Sequence, residues 1–106
     1  MNKKQDIDTK RLVDEIDNLV EDIQIKGVLY QKIYINRLFT ERVIPLLFEI
    51  KTCVEIENYF QNDLSEKINT CLATTSDIVD QDSSYSSFYS RIKILRENIF
   101  QKLRNI

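Results

Sequence analysis

The sequence predicts an all-α fold: a helical bundle of three to five helices with long heptad-patterned, coiled-coil-like segments. The 106 residues include one glycine and one proline, whereas hairpins and strand–helix connections depend on such turn residues. Apolar residues recur three and four apart through most of the chain, which is the period of a helix. This length suits one domain. We therefore expect a single helical domain over residues 1–106, with helices at about 5–26, 28–44, 46–80 and 85–105.

The first predicted helix, residues 5–26, has one apolar face and an acidic remainder. Asp6 and Asp8 are candidate N-caps, and Lys26 followed by Gly27 is a plausible C-terminal stop. Residues 5–25 contain seven acidic and two basic side chains, a local charge of −5. The apolar face consists of Ile7, Leu12, Val13, Ile16, Leu19, Val20 and Ile23.

The second predicted helix, residues 28–44, is apolar on more than one face, so it needs contacts on several sides. Pro45 then either kinks this helix or begins the next one, and the sequence leaves both open. Aromatic and large apolar residues often anchor protein interfaces. The candidate protein interface is therefore Leu29, Tyr30, Tyr34, Leu38 and Phe39, with core packing as the alternative.

Residues 46–80 contain the longest regular pattern. Val43, Ile50, Glu57, Leu64, Cys71 and Ile78 are spaced seven apart, as in a heptad repeat. The unbroken phase favours one long helix, whereas Asp63 and Glu66 resemble a capping box and favour a break near residue 62. Two architectures remain open: an assembly-dependent rod, or a compact bundle that buries its own stripes.

The last predicted helix, residues 85–105, follows a polar segment in which Ser83 or Ser84 is a natural N-cap. It is basic: residues 85–104 contain five basic side chains and one acidic side chain. The acidic first helix and this basic helix either pack side by side or each bind a partner of opposite charge. The sequence does not rank these two alternatives.

Composition argues against catalysis. The chain has no histidine, the usual general base and commonest metal ligand, and no catalytic or phosphate-binding motif. We expect no enzyme activity, no catalytic residue, no cofactor and no metal. Cys53 and Cys71 are interpreted as core residues, and Glu57, the acid on the heptad stripe, as a register-setting or partly exposed polar residue.

The charge and the apolar runs bear on partners and location. A net charge of −2 gives no positive field for nucleic acid, so we do not expect that partner. The longest apolar run, residues 43–48, is far shorter than the roughly 20 residues of a membrane span, so we expect no transmembrane segment. Asp6 and Asp8 occupy the place of a signal peptide's apolar core, which predicts a cytoplasmic protein.

The functional hypothesis is a non-catalytic protein–protein interaction subunit or adaptor, a small coiled-coil component of a multi-protein complex. It would bind protein partners through helix packing, as a hetero- or homo-oligomer. The alternative is a self-contained four-helix bundle that neutralises or regulates another protein. In size and helix content, that alternative resembles the bacteriocin immunity proteins.

Overall fold

A computed structural model describes residues 7–59 and 63–104, and within these ranges the chain is helical with no strand. The five α-helices are α1 (Ile7–Tyr30), α2 (Ile33–Leu38), α3 (Ile44–Glu55), α4 (Leu64–Gln81) and α5 (Ser86–Arg104). A π-helical turn, Phe39–Val43, joins α2 to α3, and a 3-10 turn, Ser83–Tyr85, precedes α5. The predicted all-α fold class is confirmed.

The helices form an antiparallel four-helix bundle, in which α2, the π turn and α3 together make the second member. α1 packs against α3 and α5, and α4 packs against the same two helices on the other side. The molecule measures 49 × 22 × 19 Å. A continuous helix over residues 28–79 would be about 80 Å long, so the chain is the compact bundle and not the rod.

The heptad pattern of residues 46–80 does not form one coiled-coil helix. α3 ends at Glu55 and α4 begins at Leu64. Glu57 lies in the intervening turn, is exposed, and has a left-handed φ of 56°. The pattern persists across the turn because both helices bury their apolar faces in the same core. Glu57 therefore sets no helix register.

α1 continues through Gly27 to Tyr30, so the predicted stop at Lys26 is wrong. The reversal is made instead by Gln31, with a φ of 52°, and Lys32. Gly27 carries a different constraint. Its carbonyl oxygen accepts a hydrogen bond from Asn36 Nδ2 at 3.1 Å, and a Cβ at Gly27 would lie 3.1 Å from Asn36 Oδ1. Glycine allows this close approach of α1 and α2.

Pro45 does not end the helical path. It lies in the first turn of α3, where its missing N–H is tolerated. In the interior of a regular helix, Pro45 would leave the carbonyl of Glu41 without its donor. The wide turn just before it accommodates the change, because the Ile44 N–H bonds to the Phe39 carbonyl, five residues back.

Two predicted helix caps differ from the structure. Asp82, rather than Ser83 or Ser84, caps the last helical segment, because its carboxylate accepts a hydrogen bond from the Ser84 N–H at 3.0 Å. Asp63 precedes α4 but makes no side-chain cap bond, and its carboxylate instead binds Lys67. Of the two caps proposed for α1, Asp8 lies within its first turn and Asp6 lies outside the described residues.

The core draws on every helix and includes an aromatic group where the π turn meets the 3-10 turn and the start of α5. The Phe39 ring lies 5.7 Å from that of Tyr85 and 5.8 Å, edge to face, from that of Phe88. Each such pair adds about 0.5–1.5 kcal/mol beyond area burial. Besides Tyr85, the apolar residues with no more than 1% exposure are Ile16, Leu19, Val43, Leu47, Ile50, Val54, Leu64, Ile68, Cys71, Ile78, Ile92 and Ile99.

Candidate protein-binding surface

Large apolar side chains lie exposed at the end of the bundle where α1 turns into α2. We call this surface the apolar tip. Each of its residues is between 51% and 76% exposed. A cluster of this kind is unusual for a chain that already has a complete core, and such clusters mark interaction sites. The members of the apolar tip are Ile25, Val28, Leu29, Tyr30, Ile33 and Tyr34.

Helix geometry explains why the tip is outside the core. Ile25, Val28 and Leu29 are three and four residues apart, so they share the outer face of α1. That face lies opposite the buried stripe that contains Ile16 and Ile23. The reversal at residues 31–32 then brings the first turn of α2 beside them. The tip is therefore continuous across two helices.

The tip is held to the connection between α4 and α5. Lys32 Nζ lies 2.5 Å from the Asp82 carboxylate. Lys26 Nζ donates a hydrogen bond to the Ser84 carbonyl oxygen at 2.8 Å and lies over the rings of Tyr30 and Tyr85, 4.5 and 4.3 Å from their centroids. These contacts tie the reversal to the α4–α5 connection.

The same contacts shift the ionisation of the paired groups. Hydrogen bonds from Lys32 and Ser84 hold the pKa of Asp82 well below its usual range. The hydrogen bond to Asp82 raises the pKa of Lys32. Both groups therefore stay charged at neutral pH, and the two lysines beside the tip are already engaged within the chain.

An open groove of about 390 Å³ lies beside the tip, between α1 and the helical path from α2 to α3. Gly27, which has no side chain, and Val28 of the tip both line it. The π turn borders it, and such turns are frequent at functional sites. The groove can receive an apolar side chain of a partner. Its lining is Ile23, Gln24, Gly27, Val28, Asn36, Phe39, Thr40 and Ile44.

The outer face of α1 also carries carboxylates. They precede the tip along the helix and lie farther from the reversal. We call Asp14, Asp17 and Glu21 the acidic row, and all three are exposed. Asp14 lies 3.6 Å from Lys10, and Asp17 lies 2.8 Å from Lys51. These are surface pairs, each contributing under about 1 kcal/mol. The carboxylates therefore remain accessible to a partner.

The acidic α1 and the basic α5 pack side by side, which is one of the two arrangements that the sequence left open. Arg91 Nη1 lies 2.8 Å from the Asp22 carboxylate. The contact uses the flank of α1 that faces α5. The acidic row, on the outer face, takes no part in it.

The structure divides the predicted interface residues. Leu29, Tyr30 and Tyr34 belong to the apolar tip. Leu38 is half-buried against the core. Phe39 is 2% exposed and packs on two aromatic rings, so it is a core residue and not part of the surface. Its position in the π turn directs it inward, towards α5.

Three members of the tip lie outside the predicted interface: Ile25, Val28 and Ile33. Ile25 carried a readable signal, because it falls outside the period of the buried stripe of α1. Val28 and Ile33 were part of the broad apolar character of residues 28–44. The sequence does not show which side of that segment faces solvent.

The other candidate chemical groups are arranged as structural residues. Cys53 and Cys71 are buried and form no disulfide. Burial raises the pKa of Cys71 to about 12 and raises that of Cys53 as well, so neither thiol is activated as a nucleophile. Across residues 7–59 and 63–104, no three His, Cys, Asp or Glu side chains come close enough to hold a metal ion.

None of the helices in the described ranges combines the length and the apolar character needed to cross a membrane. Comparison of the chain with models of protein families, with curated proteins and with solved structures found no match.

Proposed function

We propose that this protein is a non-catalytic protein-binding module, a preformed four-helix bundle that docks another protein on the apolar tip and the adjoining groove. The observation that carries the proposal is the exposure of six large apolar side chains in a chain whose core is already closed. Exposing these side chains to water costs roughly 25 cal/mol per Å² of apolar surface. A partner that covers them recovers this free energy.

The closed core also bears on the form of the interaction. The apolar stripes of α1, α3, α4 and α5 are used inside the bundle, so few are left to join a partner's helices in a mixed coiled coil. This supports the alternative form of the functional hypothesis, a self-contained bundle that binds and regulates another protein. The adaptor role belongs to the same proposal, with the tip as its contact surface.

The test compares two variants that remove exposed apolar residues at different places. The double variant Leu29→Ser/Ile33→Ser alters the tip, and Ile94→Ser alters an exposed residue of α5 that is 53% exposed. Tagged wild-type and variant chains are used to recover proteins from the cells that make the chain. Each recovered protein is then purified, and its affinity for all three chains is measured by calorimetry.

We expect at least one purified protein to bind wild type and Ile94→Ser with the same affinity. Its affinity for the double variant should be lower by about tenfold or more, because truncating each interface anchor costs more than about 1 kcal/mol. If every recovered protein binds the double variant as well as wild type, the proposal fails. Light scattering over a tenfold concentration range is run in parallel. A dimer that only the double variant abolishes would also overturn it, because the tip would then bind a second copy.

A further inference from the structure

We propose that the partner presents a basic amphipathic helix, which lies along the outer face of α1 with its apolar part on the tip and its cationic part on the acidic row. This inference rests on the proposed function and specifies the partner of the same surface. It follows from the order of residues along one helix face. Asp14, Asp17 and Glu21 are succeeded at helical spacing by Ile25, Val28 and Leu29.

The outer face of α1 suits a helix as occupant. Its exposed row, from Asp14 to Leu29, covers roughly four helical turns and about 22 Å. Helices bind grooves through anchors spaced three, four and seven residues apart. The groove at Gly27 receives one such anchor, because Val28 belongs to both the groove and the tip.

The charge of the surface distinguishes a protein partner from a lipid surface. The acidic row would repel an anionic bilayer beside the tip, and several of the nearby cations are paired with carboxylates within the chain. Lys32 is paired with Asp82, whereas Lys26 keeps its charge because its acceptor, the Ser84 carbonyl, is neutral. Arg37, on the outer side of α2, lies 3.2 Å from Glu41. The acidic row therefore favours a cationic protein segment over a lipid surface.

A second copy of this chain does not offer the complementary face. The exposed side of α5 in the described residues combines Lys93 and Arg104 with Glu97, Ile94 and polar side chains. The exposed side of α4 carries Glu66, Asp77 and Asp80 with no exposed basic residue. On α5, Ile94 is a single exposed apolar residue beside Lys93, and neither face carries a run of exposed apolar residues followed by a run of cations. The complementary surface belongs to another protein.

The experiment uses the full chain and synthetic helical peptides of about 18 residues, roughly five turns. The basic amphipathic peptide carries leucines three and four apart at one end and lysines on the same face at the other. A scrambled peptide keeps its composition, and an acidic peptide replaces lysine by glutamate. Binding is measured by fluorescence anisotropy at low and at physiological salt.

Two charge-reversal variants provide a matched comparison, since they change the net charge equally. Asp14→Lys/Glu21→Lys alters the acidic row, and Asp77→Lys/Asp80→Lys alters α4. We expect the basic amphipathic peptide to bind wild type about tenfold or more tightly than either control peptide. We expect the acidic-row variant to lose about tenfold in affinity and the α4 variant to keep wild-type affinity.

Three outcomes would overturn the inference: the scrambled peptide binds equally well, both charge reversals weaken binding equally, or the acidic peptide binds as tightly as the basic one. Vesicles of phosphatidylcholine and phosphatidylserine are tested alongside. Binding to them that is lost in Leu29→Ser/Ile33→Ser would identify a lipid surface instead.

The outcome separates the two proposals. If Leu29→Ser/Ile33→Ser loses a purified cellular partner while the acidic-row variant keeps it, the tip is the binding surface and the partner is not basic. If the double variant loses neither that partner nor the basic peptide, the tip itself is not the binding surface.

Discussion

The α1–α2 reversal and the α4–α5 connection lie at the same end of the bundle, and each joins two antiparallel helices. The α4–α5 connection is polar on the outside: Asp82 caps the 3-10 turn, Ser83 and Ser84 are exposed, and Tyr85 is buried in the core. At the α1–α2 reversal, Gln31 and Lys32 are also exposed and polar, but the exposed positions on either side of them carry valine, leucine, isoleucine and tyrosine. Both reversals perform the same structural task.

The difference teaches that apolar residues are not required to turn the chain here. A polar connection caps and anchors as well, and exposed serines cost nothing in water. The exposed apolar residues within 28–34 are therefore best explained by a role other than forming the turn. Variants at this end of the bundle distinguish its contribution to stability from its contribution to binding.

The largest expected effect is at Phe39, because the structure places this predicted interface residue in the core. Phe39→Ala removes a buried ring that contacts Tyr85 and Phe88, and we expect the free energy of unfolding to fall by about 3–5 kcal/mol. Urea denaturation followed by circular dichroism measures it. Tyr34→Ala, in the exposed tip, is the control and should change stability by under about 0.5 kcal/mol.

If Phe39→Ala does not fold, Phe39→Leu keeps most of the volume and allows the same measurement, with a smaller loss expected. Equal effects of Phe39→Ala and Tyr34→Ala would contradict the division of the predicted interface into core and surface.

The second effect concerns the polar connection. Asp82→Ala removes the cap on Ser84 and the partner of Lys32, so we expect lower stability at pH 7. Because folding lowers the pKa of Asp82, its contribution is complete above the ordinary carboxyl pKa of about 3.9 and is lost as the pH falls towards the folded-state value. The stability difference between wild type and Asp82→Ala should therefore narrow below about pH 4.

Urea midpoints of both proteins at pH 7, 5 and 3 provide the measurement. Asp80→Ala, an exposed aspartate two residues earlier, is the matched control and should show a smaller loss at pH 7. A difference between wild type and Asp82→Ala that is as large at pH 3 as at pH 7 would mean that the charge of Asp82 is not what stabilises the connection.

The third effect tests the close approach of α1 and α2. Alanine is preferred over glycine inside a helix by about 1 kcal/mol, but a Cβ at Gly27 would lie 3.1 Å from Asn36 Oδ1. We expect Gly27→Ala to stabilise an Asn36→Ala background by about 0.5–1 kcal/mol and to gain less, or to destabilise, in wild type. A double-mutant cycle in urea measures this coupling, and equal gains in both backgrounds would exclude it.

The all-α class was predictable because it depends on local signals: helical spacing and the scarcity of turn residues. The positions at which the helices end were harder to predict. Gly27 resembles a helix stop, yet its role depends on Asn36, nine residues away and on the next helix. Glu57 continues the heptad spacing in the sequence, yet it lies in a turn. The position of that turn depends on the tertiary packing of α3 on α4.

The candidate surface was partly predictable for the same reason. Leu29, Tyr30 and Tyr34 stood out as apolar residues in excess of one helix face. Phe39 has the same local signal, and its burial depends on Tyr85 and Phe88, more than forty residues away. A sequence pattern identifies surplus apolar residues, but contacts between distant segments decide which of them are covered.

The smallest expected effect is at the tip itself, and it decides whether the comparison between the two reversals holds. Leu29→Ala and Leu95→Ala make the same substitution at an exposed and at a buried position, since Leu29 is 70% exposed and Leu95 is 2% exposed. We expect Leu95→Ala to cost about 2–5 kcal/mol and Leu29→Ala under about 0.5 kcal/mol, both measured by urea denaturation. A cost at Leu29 approaching that at Leu95 would show that the fold itself needs the tip, and its apolar residues would then require no partner.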